Sequence, residues 1–202
     1  MREEILTKNQ LEILPFLKGF FPKFGLVGGT AIALQIGHRR SLDFDLFTLE
    51  AFNAKRVQTM VRKRFKIEKI IVNKDQELTL FVNGIKMTFY HFPFNIKFTE
   101  KVRSVIRMPN LLTLAAMKAF ALGRRSKWKD YVDLYFIFKK YSINEVSTKA
   151  EELFGGEFNE RLFREQIAYH EDIDYSEEVE FLPDFEINKE EIKDTLSTIA
   201  IS

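Results

Sequence analysis

The fold is decided by residues 26–47, which read L-V-G-G-T-A-I-A-L-Q-I-G-H-R-R-S-L-D-F-D-L-F. The apolar run before Gly28-Gly29 predicts a buried strand, and the two glycines interrupt it. Residues 31–36 are apolar over more than one turn and predict a helix. After a basic loop, residues 42–47 alternate apolar and acidic side chains, which is the period of a strand. The stretch therefore predicts strand, glycine turn, helix, basic loop and strand in succession.

The junction between this strand and this helix is suited to phosphate. A helix N-terminus exposes backbone N–H groups without partners and carries the positive end of the helix dipole. Gly28 and Gly29 have no Cβ that would keep a phosphate away from the backbone. A glycine pair before a helix is on its own most often only a tight turn. Phosphate binding is therefore expected only in combination with the residues that follow.

Two carboxylates, Asp43 and Asp45, follow the helix and the basic loop. On a strand they would point to the same face and repel each other unless a cation sits between them. Oxygen ligands without Cys or His fit Mg²⁺, which completes its shell with triphosphate and water. A lone Asp-x-Asp is usually a solvated strand face, but carboxylates among Leu and Phe are costly unless paired or metal-bound. The combination predicts metal-assisted phosphoryl or nucleotidyl transfer.

A second block, residues 115–136, reads A-A-M-K-A-F-A-L-G-R-R-S-K-W-K-D-Y-V-D-L-Y-F. Lys118 lies mid-helix among Ala and Met, where a cation needs a partner, so we expect it to reach a triphosphate or the carboxylates. The alternative is a lysine that snorkels to solvent. Asp130 and Asp133 share one helix face. The alternative for Asp133 is a charge near a helix N-terminus that the dipole favours.

Together the two blocks resemble the nucleotidyltransferase-like family that includes the AbiEii toxins of bacterial abortive-infection and toxin–antitoxin systems. The resemblance implies an α/β (α+β) fold with a nucleotidyltransferase (polymerase-beta-like) core and a mixed sheet. This core, with an N-terminal helix, would span residues 1–108, and a mainly helical region would span residues 109–202. The family's motifs correspond here to Gly28–Ala31, Gly37–Arg39, Ser41, Asp43, Asp45, Lys118, Arg124, Lys129, Asp130 and Asp133.

The resemblance also implies a chemistry. It implies a Mg²⁺-dependent enzyme that transfers a nucleoside monophosphate from an NTP to an acceptor such as RNA or tRNA, and a toxin role with an antitoxin protein as partner. Asp43 and Asp45 would bind the metal, and Lys118 and Asp130 would complete the catalytic set. The nucleotide would be held by Gly28, Gly29, Thr30, Arg39 and Ser41.

The sequence departs from the superfamily at its third carboxylate, which lies on a strand after the Asp-x-Asp strand. The turn signal Asn83-Gly84 predicts a hairpin whose return strand carries Thr88 at that place. Glu77 is a weak candidate and reads better as a strand-edge charge. The two-metal site is therefore in question: Asp130 substitutes, or one metal suffices. The alternative function is a catalytically inactive nucleotide- or RNA-binding protein on the same fold.

Charge divides the chain into two parts. The net charge is only +2, but residues 1–140 hold 26 of the 31 Lys+Arg and 12 of the 29 Asp+Glu, a net +14, and residues 141–202 carry −12. The split is typical of a body that binds a polyanion such as RNA, and the acidic segment 171–186 is then either a competitor for that body or a solvated connector. Two solvated faces that attract each other are the alternative. His38, in the basic loop, either touches phosphate or is a plain loop residue.

Composition also restricts where the protein works. There is no cysteine, which excludes disulfides and thiolate metal sites. The charged N-terminal residues lack the apolar core of a secretory signal, and the longest apolar stretches are too short to span a bilayer. These features predict a cytoplasmic protein without a membrane partner. The remaining patterns predict helices over 3–18, 53–64, 111–122, 128–138, 144–154, 158–170 and 189–199, and strands over 66–72, 78–82 and 85–91.

Overall fold

The computed structural model describes residues 1–122 and 124–202, and a mixed seven-stranded sheet lies at its centre. Its strand order is β3-β4-β5-β2-β1-β7-β6. β2 pairs with β5 and β1 with β7 in parallel, and the other neighbours are antiparallel. The mixed sheet expected from the sequence is therefore confirmed. The strands are β1 Gly25–Val27, β2 Phe44–Thr48, β3 Lys69–Lys74, β4 Glu77–Val82, β5 Ile85–His91, β6 Glu100–Val102 and β7 Ile106–Met108.

Helices cover the sheet and make up the C-terminal part of the chain. They are α1 Lys8–Ile13, α2 Gly28–Ile36, α3 Ala54–Arg62, α4 Leu111–Leu122, α5 Trp128–Phe138, α6 Ile143–Phe154, α7 Glu160–Ala168 and α8 Lys189–Ala200. The sequence predicted α4 and α5 to the residue. Asn53 caps α3 by accepting from the Arg56 N–H. Across residues 1–122 and 124–202, no helix has the length and hydrophobicity of a bilayer-spanning segment.

The single helix predicted over residues 3–18 is wrong. The chain instead forms a short 3₁₀ turn, then α1, then a second 3₁₀ stretch over Leu14–Phe20. Thr7 starts a new helix through a capping box. Its hydroxyl accepts from the Gln10 N–H, and the Gln10 side chain accepts from the Thr7 N–H. Pro15 lies at the start of the second 3₁₀ stretch, where its missing N–H costs no helix hydrogen bond.

The hairpin between β4 and β5 sets which side chains face the functional side of the sheet. Asn83 and Gly84 have φ of +49° and +71°, the conformation of a two-residue turn that matches strand twist. In the parallel pairing of β5 with β2, Thr88 lies opposite Asp45. Tyr90 lies opposite Phe47 in the same pairing. Alternate residues of β5 therefore share one face with the carboxylates of β2.

Helix α2 is the element that joins the sheet to the helical region. Its side chains Ala31 to Leu34 are buried on every side, and the helix packs on α4 and α5 as well as on β1 and β2. Buried residues from 1–108 and from 109–202 belong to one continuous hydrophobic cluster. Since α4 and α5 pack on α2, they bring the second sequence block next to the first.

The hairpin turn yields a stability prediction. Gly84→Ala should lower the free energy of unfolding by about 1 kcal/mol, because an alanine pays the steric cost of a positive φ although its Cβ would meet nothing within 4 Å. Urea unfolding would measure the loss. Gly156→Ala is the matched control, because its Cβ also meets nothing within 4 Å and its φ is not positive. Equal losses in the two variants would contradict the backbone explanation.

Candidate active site

The two sequence blocks meet at one cleft of about 600 Å³ between the open face of the sheet and helices α4 and α5. Nine residues were expected in the site, and one of them, Thr30, lies behind the cleft wall. The other eight line the cleft: Gly28, Gly29, Arg39, Ser41, Asp43, Asp45, Lys118 and Asp130.

Thr30 holds the loop that carries the first carboxylate. Its side chain is buried, and its hydroxyl lies within hydrogen-bond distance of the Asp43 carbonyl and 2.9 Å from the Ser41 hydroxyl. The buried Gln10 amide donates to the Ser41 carbonyl at 2.8 Å. Thr30 and Gln10 therefore fix the residues 41–43 from behind, and Thr30 is placed to position Ser41 and Asp43.

The two glycines at the start of α2 allow polar side chains to approach the helix as closely as a ligand would. Gly28 has φ +70°, and a Cβ there would lie 2.4 Å from an Asp45 carboxylate oxygen. A Cβ on Gly29 would lie 2.6 Å from the Arg39 guanidinium and 3.1 Å from the Ser41 hydroxyl. No side-chain hydrogen bond caps α2 in the part of the chain that the structure describes. Its first N–H groups therefore keep their capacity to bind an anion.

Asp43 and Asp45 form a half-buried acidic pair on the floor of the cleft. β2 begins at Phe44, two residues later than the strand predicted over residues 42–47. Asp45 therefore lies on the strand, and Asp43 lies one residue before it. Burial raises the pKa of the Asp45 carboxyl, and the nearby charge of Asp43 raises it further. A carboxylate pair of this kind gains from a cation placed beside it.

Lys86 is a site residue that the sequence reasoning missed. It lies on β5 two residues before Thr88, on the face of the sheet that lines the cleft. Its ammonium is 2.6 Å from Asp43 Oδ2. Burial lowers the pKa of Lys86, but the hydrogen bond and charge of Asp43 outweigh it and raise the pKa overall. The signal in the sequence was the hairpin at Asn83-Gly84, from which the shared face follows.

The donor set at the pair fits one divalent ion. Two carboxylates suffice for Mg²⁺, which takes the rest of its shell from substrate phosphates and water. Among the described residues there is no group of three or more His, Cys, Asp and Glu able to hold a metal. Thr88 occupies the strand position opposite Asp45, and Glu77 on β4 lies opposite Tyr90, two residues further along β5.

A buried ion network lies beside this pair and centres on Asp133, which is fully buried. Arg39 donates to both of its carboxylate oxygens at 2.7 and 2.9 Å, and Lys118 lies 2.9 Å away. Lys118 also reaches Asp130 at 2.6 Å, and Arg125 reaches Asp130 at 2.9 Å. Burial would raise the pKa of Asp133, but Arg39 and Lys118 hold it well below its usual range.

The network decides between the alternatives left open for its members. Lys118 is only 5% exposed and is paired twice, so it does not snorkel to solvent. Asp133 contacts cations in the interior instead of serving as a solvated charge at a helix end. His38 is fully buried, with Nε2 2.9 Å from Asp133 Oδ1, so it does not touch a ligand in the cleft. Burial lowers the pKa of His38 despite the opposing effect of Asp133.

The mouth of the cleft is basic and is partly covered by the acidic segment 171–186. Lys127 and Lys129 line the cleft, and both pair with Glu177. Burial would raise the pKa of Glu177, but the two lysines lower it to about 2. On one side the Asp174 backbone bonds to residues 126 and 128, and on the other Leu182 donates to the His38 carbonyl. Glu177 is thus held between two anchored points.

The other end of the cleft is aromatic. Phe47, Tyr90 and Phe92 line it, and the ring of Phe47 lies 5.2 Å from each of the other two. Phe120 lines the same end from α4, with the Arg124 guanidinium 4.2 Å from its ring centre. One face of the sheet therefore changes from charged side chains to aromatic ones within a few residues.

Comparison with solved structures defines the class of fold. MenT4, a nucleotidyltransferase toxin from Mycobacterium tuberculosis, superposes with a TM-score of 0.59 at 11% identity over 95% of this chain and 80% of that one. JHP933 from Helicobacter pylori superposes with a TM-score of 0.55 at 15% identity over 99% and 89% of the two chains. The expected nucleotidyltransferase fold is confirmed.

The particular family follows from sequence. A family model described as the nucleotidyl transferase AbiEii toxin of type IV toxin–antitoxin systems matches residues 90–198. The chain is also 32% identical over 142 residues to an uncharacterized protein of Aquifex aeolicus, a match that covers 67% of this chain and 68% of that protein. The chain belongs to the AbiEii nucleotidyltransferase toxin family. The family model covers Lys118, Asp130 and Asp133, and Asp43 and Asp45 precede the residues it matches.

The ion network yields a prediction on stability and pH. Asp133→Asn should lower the free energy of unfolding at neutral pH by about 3–5 kcal/mol, because Arg39 and Lys118 would lose a buried countercharge. Since folding lowers the pKa of Asp133, its contribution is present above the ordinary value of 3.8 and is lost as the pH falls through the lowered one. Denaturant unfolding between neutral and acidic pH should show wild type and variant converging at low pH.

Asp194→Asn is the control for this measurement. Asp194 is exposed on α8 and makes no ion pair within residues 1–122 and 124–202. Its substitution should change stability by less than about 0.5 kcal/mol. A loss at Asp133 no larger than the loss at Asp194 would mean that the buried network contributes little to the fold.

Proposed function

We propose that this protein transfers a nucleoside monophosphate from an NTP to an acceptor, with Mg²⁺ bound by Asp43 and Asp45. The observation that supports this most is the convergence of an acidic pair, an uncapped helix N-terminus and a buried lysine on one cleft. A bound Mg²⁺ would neutralise charge on the reacting phosphate and steady an in-line displacement.

The residues around the pair take complementary roles in this proposal. Gly28 and Gly29 contact the triphosphate from the first turn of α2, Ser41 contacts it from the loop after that helix, and Thr30 supports Ser41 from behind. Lys118 directs its ammonium to the cleft while Asp130 fixes its position. Burial would raise the pKa of Asp130, but Lys118 and Arg125 lower it, which makes Asp130 a weak base. An accessory role in orienting Lys118 therefore suits Asp130 better than proton abstraction.

The aromatic end of the cleft is the proposed place of the nucleobase. Phe47 is two residues beyond Asp45 on the same strand face, about 7 Å along β2. A nucleotide whose phosphates lie at the acidic pair therefore places its base among Phe47, Tyr90 and Phe92. Aromatic rings stack on any base, so this end supports binding of the NTP without fixing which base is preferred.

The basic mouth is the proposed contact for an RNA acceptor such as tRNA. Arg125, Lys127 and Lys129 line it, and cationic side chains bind nucleic-acid phosphates whatever the sequence. Membership of the AbiEii family supports a toxin role in the cytoplasm, with an antitoxin protein as partner. MenT4, which shares the fold, is itself a nucleotidyltransferase toxin.

The second candidate is a binding protein that holds nucleotide or RNA without chemistry. The strand position opposite Asp45 carries Thr88 and not a carboxylate, and Lys86 already pairs with Asp43; both observations favour this candidate. Incubation of wild-type protein with Mg²⁺, each α-labelled NTP and total RNA separates the two. Labelled RNA supports the transferase, and saturable NTP binding without labelled RNA supports the binding protein.

Substitution of Asp45 tests the transferase directly. Asp45→Asn should reduce label transfer by roughly 100-fold or more, because it removes one of the two carboxylates that bind Mg²⁺ in the proposed mechanism. The variant should keep its stability, since the substitution relieves repulsion with Asp43. Asp75→Asn, an exposed change in the β3–β4 turn, should leave transfer unchanged. Wild-type rates in Asp45→Asn would remove the acidic pair from the mechanism.

Substitution of Glu177 tests the role of the acidic segment. If Glu177 competes with RNA phosphates for Lys127 and Lys129, Glu177→Gln should tighten RNA binding at low salt by up to about fivefold, the equivalent of an ion pair worth ~1 kcal/mol. The salt dependence should also steepen, since more phosphates are then contacted. Binding would be followed by fluorescence anisotropy over a range of salt concentrations.

Glu178→Gln is the matched control. Glu178 is exposed next to Glu177, and no ion pair of Glu178 occurs in the described part of the chain. The control changes the net charge equally, so equal tightening in both variants would indicate a general charge effect. No tightening in Glu177→Gln would mean that the segment is a connector and leaves access to the cleft unchanged.

A further inference from the structure

We propose that Lys86 is a fixed cation of the active site, placed where a second metal ion would lie beside Asp43, so that the site takes only one divalent ion. The proposal deepens the proposed function and rests on it for the identity of the site. It concerns the charge of the site, which can be measured without any transfer reaction.

Position is the first support. Lys86 and Thr88 lie on the cleft face of β5, and Met87 between them pairs with Phe44, the residue between the two aspartates. Lys86 therefore lies beside Asp43, as Thr88 lies beside Asp45. The Lys86 ammonium is 2.6 Å from Asp43 Oδ2, and both side chains are about one-third exposed, at 35% and 27%. The ammonium thus occupies a cation position on the acidic pair.

Charge is the second support. Asp43 and Asp45 together supply two negative charges, and Thr88 adds a hydroxyl where a third carboxylate would be needed. With Lys86 present, the net charge at the pair is about −1, so a single divalent ion bound in the absence of nucleotide already outweighs it. A second divalent ion would then meet a net positive charge from the first ion, the Lys86 ammonium and the two carboxylates together, which opposes its binding.

The other cations around the cleft do not have this arrangement. Arg39 and Lys118 are held by Asp133 and Asp130 in the buried network. Lys127 and Lys129 are held by Glu177 at the mouth. In the described chain, Lys86 is the cation paired with a carboxylate of the acidic pair itself. Its charge therefore acts on the metal position more directly than any of these.

A plain surface ion pair is the competing explanation. Such a pair contributes ~0–1 kcal/mol to stability and has no consequence for metal binding beyond a small change in the general field. The two explanations differ in how many ions bind. They also differ in whether the effect is specific to Lys86.

Titration with Mn²⁺ alone, followed by electron paramagnetic resonance, tests the proposal. Wild type should bind one Mn²⁺ per chain, weakly. Lys86→Met should bind one Mn²⁺ roughly 10-fold more tightly, because a positive charge within a few ångströms of the ion is gone. Lys86→Glu should bind two, because it replaces the cation beside Asp43 with a third carboxylate. Lys86→Arg, which keeps the charge, should behave as wild type.

Two variants control for charge. Lys129→Met removes a positive charge from the same cleft away from Asp43, and it should tighten Mn²⁺ binding less than Lys86→Met. Lys55→Glu reverses a charge on the exposed surface of α3, and it should leave one site of unchanged affinity. Equal effects at positions 86 and 129, or one site in Lys86→Glu, would overturn the proposal, as would two Mn²⁺ sites in wild type.

Folding and function are checked separately. Thermal melting of each variant identifies any that fail to fold. If Lys86→Met does not fold, the proposal is tested with Lys86→Arg. Two Mn²⁺ sites or tighter Mn²⁺ binding in Lys86→Arg would overturn the proposal. With a non-hydrolysable NTP analogue and Mg²⁺, Lys86→Met should bind the analogue several-fold more weakly than wild type. If the Mn²⁺ pattern is as expected but wild type transfers no label, the transferase fails and the role of Lys86 remains.

Discussion

The rest of the structure depends on the pairing of Asp133 with Arg39 and Lys118. These three groups come from the loop after α2, from α4 and from α5, and they are almost completely removed from water. An unpaired charge at this depth would cost several kcal/mol, so the three elements must stay together. Because α2 also begins at the glycines of the first block, this one network fixes both blocks around a common cleft.

Local patterns were enough to predict much of the fold. The bounds of α4, α5 and β5 agree with the sequence, since each has a clear period or a strong turn signal at its end. The strands β6 and β7 were missed because three residues are too few to show a period. The N-terminal region was predicted wrongly because its apolar period continues past Thr7 and Pro15. Thr7 begins a new helix, and Pro15 lies at the start of a 3₁₀ stretch.

The site was predictable as a set of residues but not as a set of contacts. The spacing of Asp43 and Asp45 and the isolated charge of Lys118 indicated a site, and these side chains do line one cleft. Which carboxylate neutralises which cation depends on packing between distant elements. Sequence therefore did not show that Asp133 holds Arg39, that Glu177 holds Lys127 and Lys129, or that Thr30 is placed behind the cleft wall.

The distribution of countercharges distinguishes the buried ion network from the acidic pair. The buried cations and carboxylates are fully matched, so they are rigid and need no reorganisation when a charged ligand arrives, which is the condition for electrostatic preorganisation. Asp43 and Asp45 are different, since they are half-exposed and share a single lysine between two carboxylates. Asp43 and Asp45 still repel each other, and a cation bound between them would gain free energy by removing that repulsion. The cleft therefore combines a wall of neutralised charges with one acidic position that a cation would stabilise.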